Sequence, residues 1–328
     1  MACVGIIGTG FMGRTHCKAY DKISEVNKIR LLTVPQTLDD AKKLMQEHSK
    51  IISVETDTEK FFASDIDVVD ICTPTATHID LVQRAIAAGK PILCEKPLTL
   101  DSKTAQELVD KADKAKVPFM AAHVIRFWPE YIYCMRKIQD GSLGKLRNIS
   151  MVRCSALPAW GVNSWFANLK VSGGTLFDLH VHDVDYLQFV LGRPKRVSSV
   201  GFKRDNAAYT DITTTLDFGD VYANVYASYE LPRKAPFRMA YRALFENGQL
   251  DYELSRTPQL ICYENDKEQT IDLSGQPDGY ESECSYFIKC FDNNKMPELS
   301  SAVSAVATIK LLECIGNSAD QNGKWMTF

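Results

Sequence analysis

Three groups of residues in this chain have the types and the spacing for chemistry. Gly8-Thr9-Gly10-Phe11-Met12-Gly13 fits the pattern G-x-G-x-x-G. The first glycine allows a tight turn, the second lets the backbone approach a pyrophosphate, and the third lets a following helix pack on the strand before it. Glycines also serve plain turns, so the match gains weight only as the first loop of an α/β unit. Lys96, in Glu95-Lys96-Pro97, closes an apolar run. Its ammonium can donate to an alcohol oxygen and stabilise a developing alkoxide; the plain alternative is a solvated loop lysine. Asp178 and His182 stand four apart in a helical pattern, so they are expected to share a face, with Asp185 close to it. The opposite stripe of Leu179, Val184, Leu187 and Leu191 is apolar and should pack. A histidine titrating near neutrality beside an orienting carboxylate suits proton transfer; the alternative is a capping Asp and a surface His. His180-Val181-His182-Asp183 also resembles a metal-binding pair of histidines. Zinc wants three or four ligands, and no His follows His182, so no metal site is expected.

The elements that must position these residues follow from periodicity. Short β-branched runs alternate with helical patterns in the first third of the chain, the signature of a parallel α/β sheet. Strands are predicted over 3–8, 30–34, 67–73, 91–94 and 117–122, and helices over 11–23, 38–48, 76–88 and 102–115. This order predicts a six-stranded, doubly wound sheet that binds a dinucleotide. Beyond about residue 125 the rhythm changes. Helices are predicted over 130–139 and 175–191, and strands over 196–202, 213–218, 221–229, 240–246, 249–253 and 259–263. Gly219-Asp220 joins two of these strands as a hairpin turn. Two helices, over 280–291 and 302–315, finish the chain. The division expected is a dinucleotide-binding domain at 1–122 and an α+β domain with an open, mainly antiparallel sheet at 123–328.

Composition narrows the field. The chain has 328 residues, above the roughly 250–300 at which a single core stops growing. A formal net charge of −3 gives no general attraction to nucleic acid or anionic lipid. No run approaches the ~18 apolar residues of a membrane span. The start of the chain runs into a buried strand without a charged leader, so no signal peptide is expected, and a cytoplasmic protein is. The ten cysteines are scattered with no CxxC and read as small buried hydrophobes.

One departure concerns cofactor choice. An Asp or Glu normally ends the second strand of such a unit and takes the adenosine ribose hydroxyls. Here that stretch is Leu31-Leu32-Thr33-Val34-Pro35-Gln36-Thr37, with Pro35 at the acid's position. Nothing repels a 2′-phosphate and no neighbouring Arg in the run grips one, so NAD and NADP both remain open.

Glu95-Lys96-Pro97 at the end of the fifth strand resembles the glucose–fructose oxidoreductase and inositol dehydrogenase (Gfo/Idh/MocA) family. Other motifs agree in order: the glycine turn followed by His16, Thr73-Pro74 with His78 four residues on, Arg126-Phe127 after the sixth strand, Gly173-Gly174, and Asp178-x-x-x-His182. The resemblance covers essentially the whole chain. It implies hydride transfer between a nicotinamide and an alcohol or ketone carbon of a sugar, inositol or related polyol, with Lys96, Asp178 and His182 catalytic. It implies cofactor contacts from Gly8, Gly10, Phe11, Met12, Gly13, Pro35, Thr73, Pro74, His78, Glu95 and Lys96. Substrate contacts would come from Lys96, Arg126, Trp165, Asp178, His180 and His182. His180 stands where many members have Gly. His78 could touch the nicotinamide side or be a satisfied surface histidine, and Trp128, Tyr131 and Trp160 could face substrate or pack in a core. The resemblance further implies a homodimer or homotetramer. The alternative is a member that binds the dinucleotide without net redox chemistry, as a sensor or as a transient-redox hydrolase or epimerase.

Overall fold

The computed structural model describes residues 1–158, 165, 166, 168–205 and 207–328; Trp160 lies outside them. The chain divides into two compact units. The first is built on Met1–Val124, a stretch that contributes six strands and five α-helices: β1 (Ala2–Ile7), α1 (Phe11–Lys22), β2 (Val26–Leu32), α2 (Leu38–Glu47), β3 (Ile51–Glu55), α3 (Thr58–Phe62), β4 (Val68–Ile71), α4 (His78–Ala87), β5 (Ile92–Glu95), α5 (Ser102–Ala115) and β6 (Phe119–Ala122). All neighbours run parallel, in the order β3-β2-β1-β4-β5-β6. Strands β1, β4, β5 and β6 are buried along their whole length, as strands covered on both faces must be. The strand order reverses between β1 and β4, and sheets of this kind bind ligands beyond their carboxyl ends at that point. The doubly wound sheet expected from the sequence is therefore present. Its sixth strand is β3, which the predicted strand segments leave unplaced.

The second unit takes the described residues of 125–277 together with Thr308–Phe328. It begins with α6 (Pro129–Asp140) and β7 (Leu146–Cys154), followed by α7 (Leu169–Ser172), a π-helical turn (Leu176–His180) and α8 (Val181–Leu191). Strands β8 (Arg196–Arg204), β9 (Ala208–Asp217), β10 (Tyr222–Ser228), β11 (Arg238–Phe245), β12 (Gly248–Glu253), β13 (Leu260–Glu264) and β14 (Lys267–Ile271) follow. With β15 (Met326–Thr327) they form a nine-stranded sheet, β14-β13-β12-β11-β7-β10-β9-β8-β15. Strands β7 and β10 run parallel and the other neighbours antiparallel. The Gly219-Asp220 hairpin forms as expected, with Phe218 N donating to Val221 O at 2.9 Å.

The chain then returns to the first unit with α9 (Gly279–Asp292), followed by α10 (Ala302–Asp320). The segment Asp278–Ala307 belongs to the first unit, although residues 123–328 were all expected in the second. Asp278 caps α9 by accepting from Glu281 N at 2.9 Å. Lys22 of α1 pairs with Glu281 at 2.8 Å, and Ser300 Oγ donates to Ala121 O of β6 at 2.7 Å. Local pattern recognises α9 as a helix but carries no information about which sheet it will cover.

Two buried ion pairs fix α8 in the second unit. Arg153 of β7 meets Asp183 through Nε and Nη2, at 3.1 and 2.7 Å, and both side chains lie out of solvent. Arg126 meets Asp185 at 2.8 and 2.6 Å, and Thr308 Oγ1 donates to the same carboxylate at 2.8 Å. Burial opposes the charge on Arg153, but Asp183 outweighs it and holds the guanidinium's pKa above its ordinary value. Around these pairs Tyr131, Tyr186, Tyr241 and Tyr252 pack ring on ring, with Tyr131 at 5.0–5.7 Å from the other three. Tyr131 is thus core of this unit. No helix among the described residues is long and apolar enough to cross a membrane. Removing one partner of a buried pair strands the other charge. Arg153→Met is therefore expected to lower the unfolding free energy in urea by about 3–5 kcal/mol, and adding Asp183→Leu should restore most of the loss.

Candidate active site

The glycine turn follows β1 directly. Gly8 has φ +96, and a Cβ on it would sit 2.8 Å from Cys72 O; a Cβ on Gly13 would come within 1.9 Å of Gly8 O. Those two glycines serve the fold. Gly10 is different: its φ of −72 suits any residue, and a Cβ there would meet nothing within 4 Å. The protein itself has no need for the missing side chain, and a group approaching the turn does. Gly10 also leaves α1 without a side-chain cap, so the first-turn amides face outward at the positive end of the helix. An open cradle at the start of a helix fits a pyrophosphate. Phe11 is exposed and Met12 half-buried at the same helix start.

At the end of β2 no acid is present. Pro35 is exposed and opens a short 3-10 turn, Pro35–Thr37. In place of a carboxylate there is a chain of hydroxyls, with Thr9 Oγ1 at 2.7 Å from Thr33 Oγ1 and Thr33 Oγ1 at 2.7 Å from Thr37 Oγ1. Arg14 Nε donates to Thr9 O at 3.2 Å. This arginine was not among the expected site residues. Its position directly after Gly13 is the available signal, since one helical turn carries it back over the loop.

Thr73 and Pro74 follow β4, and Lys96 follows β5, all partly exposed. The Lys96-Pro97 peptide is cis. Glu95, by contrast, is buried and turned toward the protein: Oε2 accepts from Lys96 N at 3.1 Å, and Oε1 lies 3.4 Å from His16 Nε2. His16 is fully buried, with Nδ1 at 2.8 Å from Asp70 Oδ2. Burial works against its charge, but Asp70, with Cys72 and Cys284 nearby, outweighs that and holds the imidazole's pKa well above normal. His78 is also fully buried. Its Nδ1 lies 3.0 Å from Pro97 O and its Nε2 2.9 Å from Thr73 O. It is therefore an interior histidine set between two carbonyls, where a surface or nicotinamide-facing one was expected.

In the second unit Gly174 has φ +62, and a Cβ there would lie 2.4 Å from Tyr209 O, so the Gly173-Gly174 pair lets the chain press onto β9. Thr175 Oγ1 then donates to Thr210 O at 2.9 Å. Asp178 falls in the π-helical turn and His182 in α8, both partly exposed. π-turns inside helices often mark functional positions. Tyr229, buried on the sheet side, donates its hydroxyl to Asp178 Oδ2. This tyrosine was missed, because nothing in the sequence links residues so far apart. Three expectations need correction. His180 is wholly buried, with Nε2 at 2.9 Å from Thr214 Oγ1, so it grips the sheet where substrate contact was expected. Asp185 is likewise buried in its pair with Arg126, not displayed beside Asp178. Arg126 accordingly spends its guanidinium on Asp185 and lies over the Phe189 ring at 4.8 Å. Trp165 is half-buried, its ring 4.0 Å from that of Phe166.

A doubly wound sheet with an open glycine cradle at its order reversal defines a dinucleotide-binding oxidoreductase-type scaffold, and comparison with known proteins agrees. The profile described as "Oxidoreductase family, NAD-binding Rossmann fold" matches residues 3–123, and the "GFO/IDH/MocA C-terminal domain" matches residues 131–251. The chain belongs to the Gfo/Idh/MocA oxidoreductase family. Inositol 2-dehydrogenase of Rhizobium meliloti (strain 1021) is 32% identical over 194 residues, 57% of this chain and 54% of that protein. The scyllo-inositol 2-dehydrogenase (NADP(+)) of Bacillus subtilis (strain 168) is 26% identical over 236 residues, 71% of this chain and 64% of that one. The chain thus spans little more than half the length of the curated relatives it matches. A solved levoglucosan dehydrogenase, in complex with NADH and levoglucosan, superposes with TM-score 0.86 at 19% identity over 99% of each chain, which shows the shared fold.

His180 has a consequence for stability. Burial pushes its pKa from 6.5 down to about 3. The unfolded chain therefore binds a proton that the folded chain refuses, so this contribution is complete above pH 6.5 and is lost as pH falls toward 3. In His180→Met the unfolding free energy should fall less steeply with acid below pH 6.5, by up to about 1.4 kcal/mol per pH unit. Urea titrations across that range provide the test.

Proposed function

We propose that this chain is an NAD(P)-dependent dehydrogenase or reductase acting on a CH–OH group of an inositol, sugar or related polyol. The observation that carries the proposal is the cradle at Gly10, empty of any side chain, on the same carboxyl edge of the sheet as Lys96. The names of the relatives, two inositol dehydrogenases and a levoglucosan dehydrogenase, point to cyclic polyhydroxylated substrates. A bound nicotinamide would accept or supply the hydride. Lys96 donates to the reacting oxygen and stabilises its negative charge as the hydride departs. His182 takes the hydroxyl proton in the oxidising direction. Asp178, held by Tyr229, supports that proton transfer. Arg126 and His180 act at one remove, by fixing the helix that carries His182. A protein that only bound the dinucleotide would have no use for Lys96, Asp178 and His182 together.

Ten unpaired cysteines suit a reducing compartment, and we place the protein in the cytoplasm. A homodimer or homotetramer would use the second unit's sheet. Tyr222, Leu244 and Tyr263 are all exposed and lie in one cross-strand row through Asn148 and Gln249, so they share a face.

The test is turnover of purified protein on a panel of inositols, anhydrosugars and hexoses with NAD and with NADP, read by absorbance of the reduced nicotinamide. On the substrate found, Lys96→Met should cost at least about 10²-fold in kcat with cofactor affinity retained. Retention of more than a tenth of the wild-type rate would remove Lys96 from the assignment.

Cofactor preference gives a second test. With Pro35 in the acid's place and Arg14 docked at the turn, NADP should be accepted. Pro35→Asp should shift kcat/KM toward NAD by about 1–3 kcal/mol. Wild-type rejection of NADP by more than about 10³-fold, roughly 4 kcal/mol, would mean that another acid reads the ribose.

A further inference from the structure

We propose that His78 is a positioning residue for Lys96, acting as a clamp between the loops that follow β4 and β5; this rests on the role given to Lys96 above. His78 opens α4 and is fully buried, yet it makes no use of its burial for packing alone. Each ring nitrogen faces a main-chain carbonyl, Nδ1 toward Pro97 O at 3.0 Å and Nε2 toward Thr73 O at 2.9 Å. Pro97 is the residue bonded to Lys96, and Thr73 opens the neighbouring loop at the sheet's carboxyl edge. On its other side the same stretch is fixed through Lys96 N–H, which donates to Glu95 Oε2 at 3.1 Å. The backbone that carries the Lys96 ammonium is therefore gripped at consecutive residues, from β5 by Glu95 and from α4 by His78.

The charged and titratable groups around the clamp are few. Glu95 is the carboxylate whose field reaches His78, and burial outweighs it to lower the imidazole's pKa. A neutral ring has one N–H to give, so the two contacts are unequal, one a donated hydrogen bond and the other a close approach. What matters for Lys96 is the contact to Pro97. Geometry of this kind is consequential for rate, since a misplacement of about 1 Å can cost on the order of 10²-fold.

The two nitrogens can be replaced one at a time. His78→Asn puts an amide N–H near the place of Nδ1 and can still reach Pro97 O. His78→Gln puts one near the place of Nε2 and can reach Thr73 O. His78→Leu reaches neither. In the intact enzyme, kcat should fall about 10–100-fold in the Leu variant with little change in dinucleotide Kd, and Asn should recover most of that loss where Gln does not. A purely structural role would instead lower the melting temperature and the rate of all three variants in parallel, and that pattern would overturn the proposal. A Leu variant within twofold of wild-type kcat would overturn it as well. An activity-independent arm separates this from the dehydrogenase assignment. Amide hydrogen exchange at Lys96 should speed up in Leu and Gln and stay near wild type in Asn. If the wild type turns over no polyol with either cofactor, the dehydrogenase reading fails and the exchange pattern alone decides the clamp; unchanged exchange in the Leu variant refutes it.

Discussion

Two acids on one helix, Asp183 and Asp185, are buried without any contact to water. A carboxylate in that position cannot stay ionised unless a cation is brought to it and its lone pairs are filled. That requirement shapes the second unit. Arg153 has to leave the central strand β7 with its guanidinium pointing at α8, and Arg126 has to turn inward just before α6. Once both pairs are made, α8 is held to β7 and to the segment before α6. Asp178 and His182, which carry no such burden, are left at the surface of the unit. The helix that carries the proposed catalytic pair is thus positioned by polar groups outside that pair.

The histidines illustrate how far environment decides what one side chain is. His16, beside Asp70, has its pKa raised well above normal. His180, buried with a hydroxyl for company, has its pKa pushed down to about 3. His78 is lowered as well, but faces two carbonyls. Only the surroundings differ among the three. His182, by contrast, is left partly exposed.

Much of this was legible in the residues, and the failures have physical causes. The glycine turn could be read because its spacing is local and each glycine has a separate steric reason. The doubly wound sheet could be read because burial on both faces gives nearly continuous apolar runs. Strand β7 could not be: in Leu-Arg-Asn-Ile-Ser-Met-Val-Arg-Cys the buried Arg153 imitates a solvent-facing residue. Asp185 misled for the same reason, since a paired interior acid and an exposed one are the same letter. Strand β3 is half-exposed and lacks a clear pattern. Tyr229 and Arg14 were missed differently. Their roles arise from contacts across the fold, and only the helical turn after Gly13 hinted at the second.

The return of Asp278–Ala307 to the first unit bears on how the protein is made. Lys22 and its partner Glu281 are 259 residues apart. At ribosomal rates of about 5–20 residues per second, the face of α1 that meets α9 stays uncovered for on the order of 10–50 s. During that interval the parallel sheet can assemble, but His16 and Tyr20, which are buried beside α9 in the finished protein, face whatever else is near. Strands β7 to β14 of the second unit's sheet are made in the meantime, and only β15 is left to follow. A chain stalled or truncated before residue 278 would display an incomplete nucleotide-binding unit. It would be a substrate for chaperones and proteases long before it could be an enzyme.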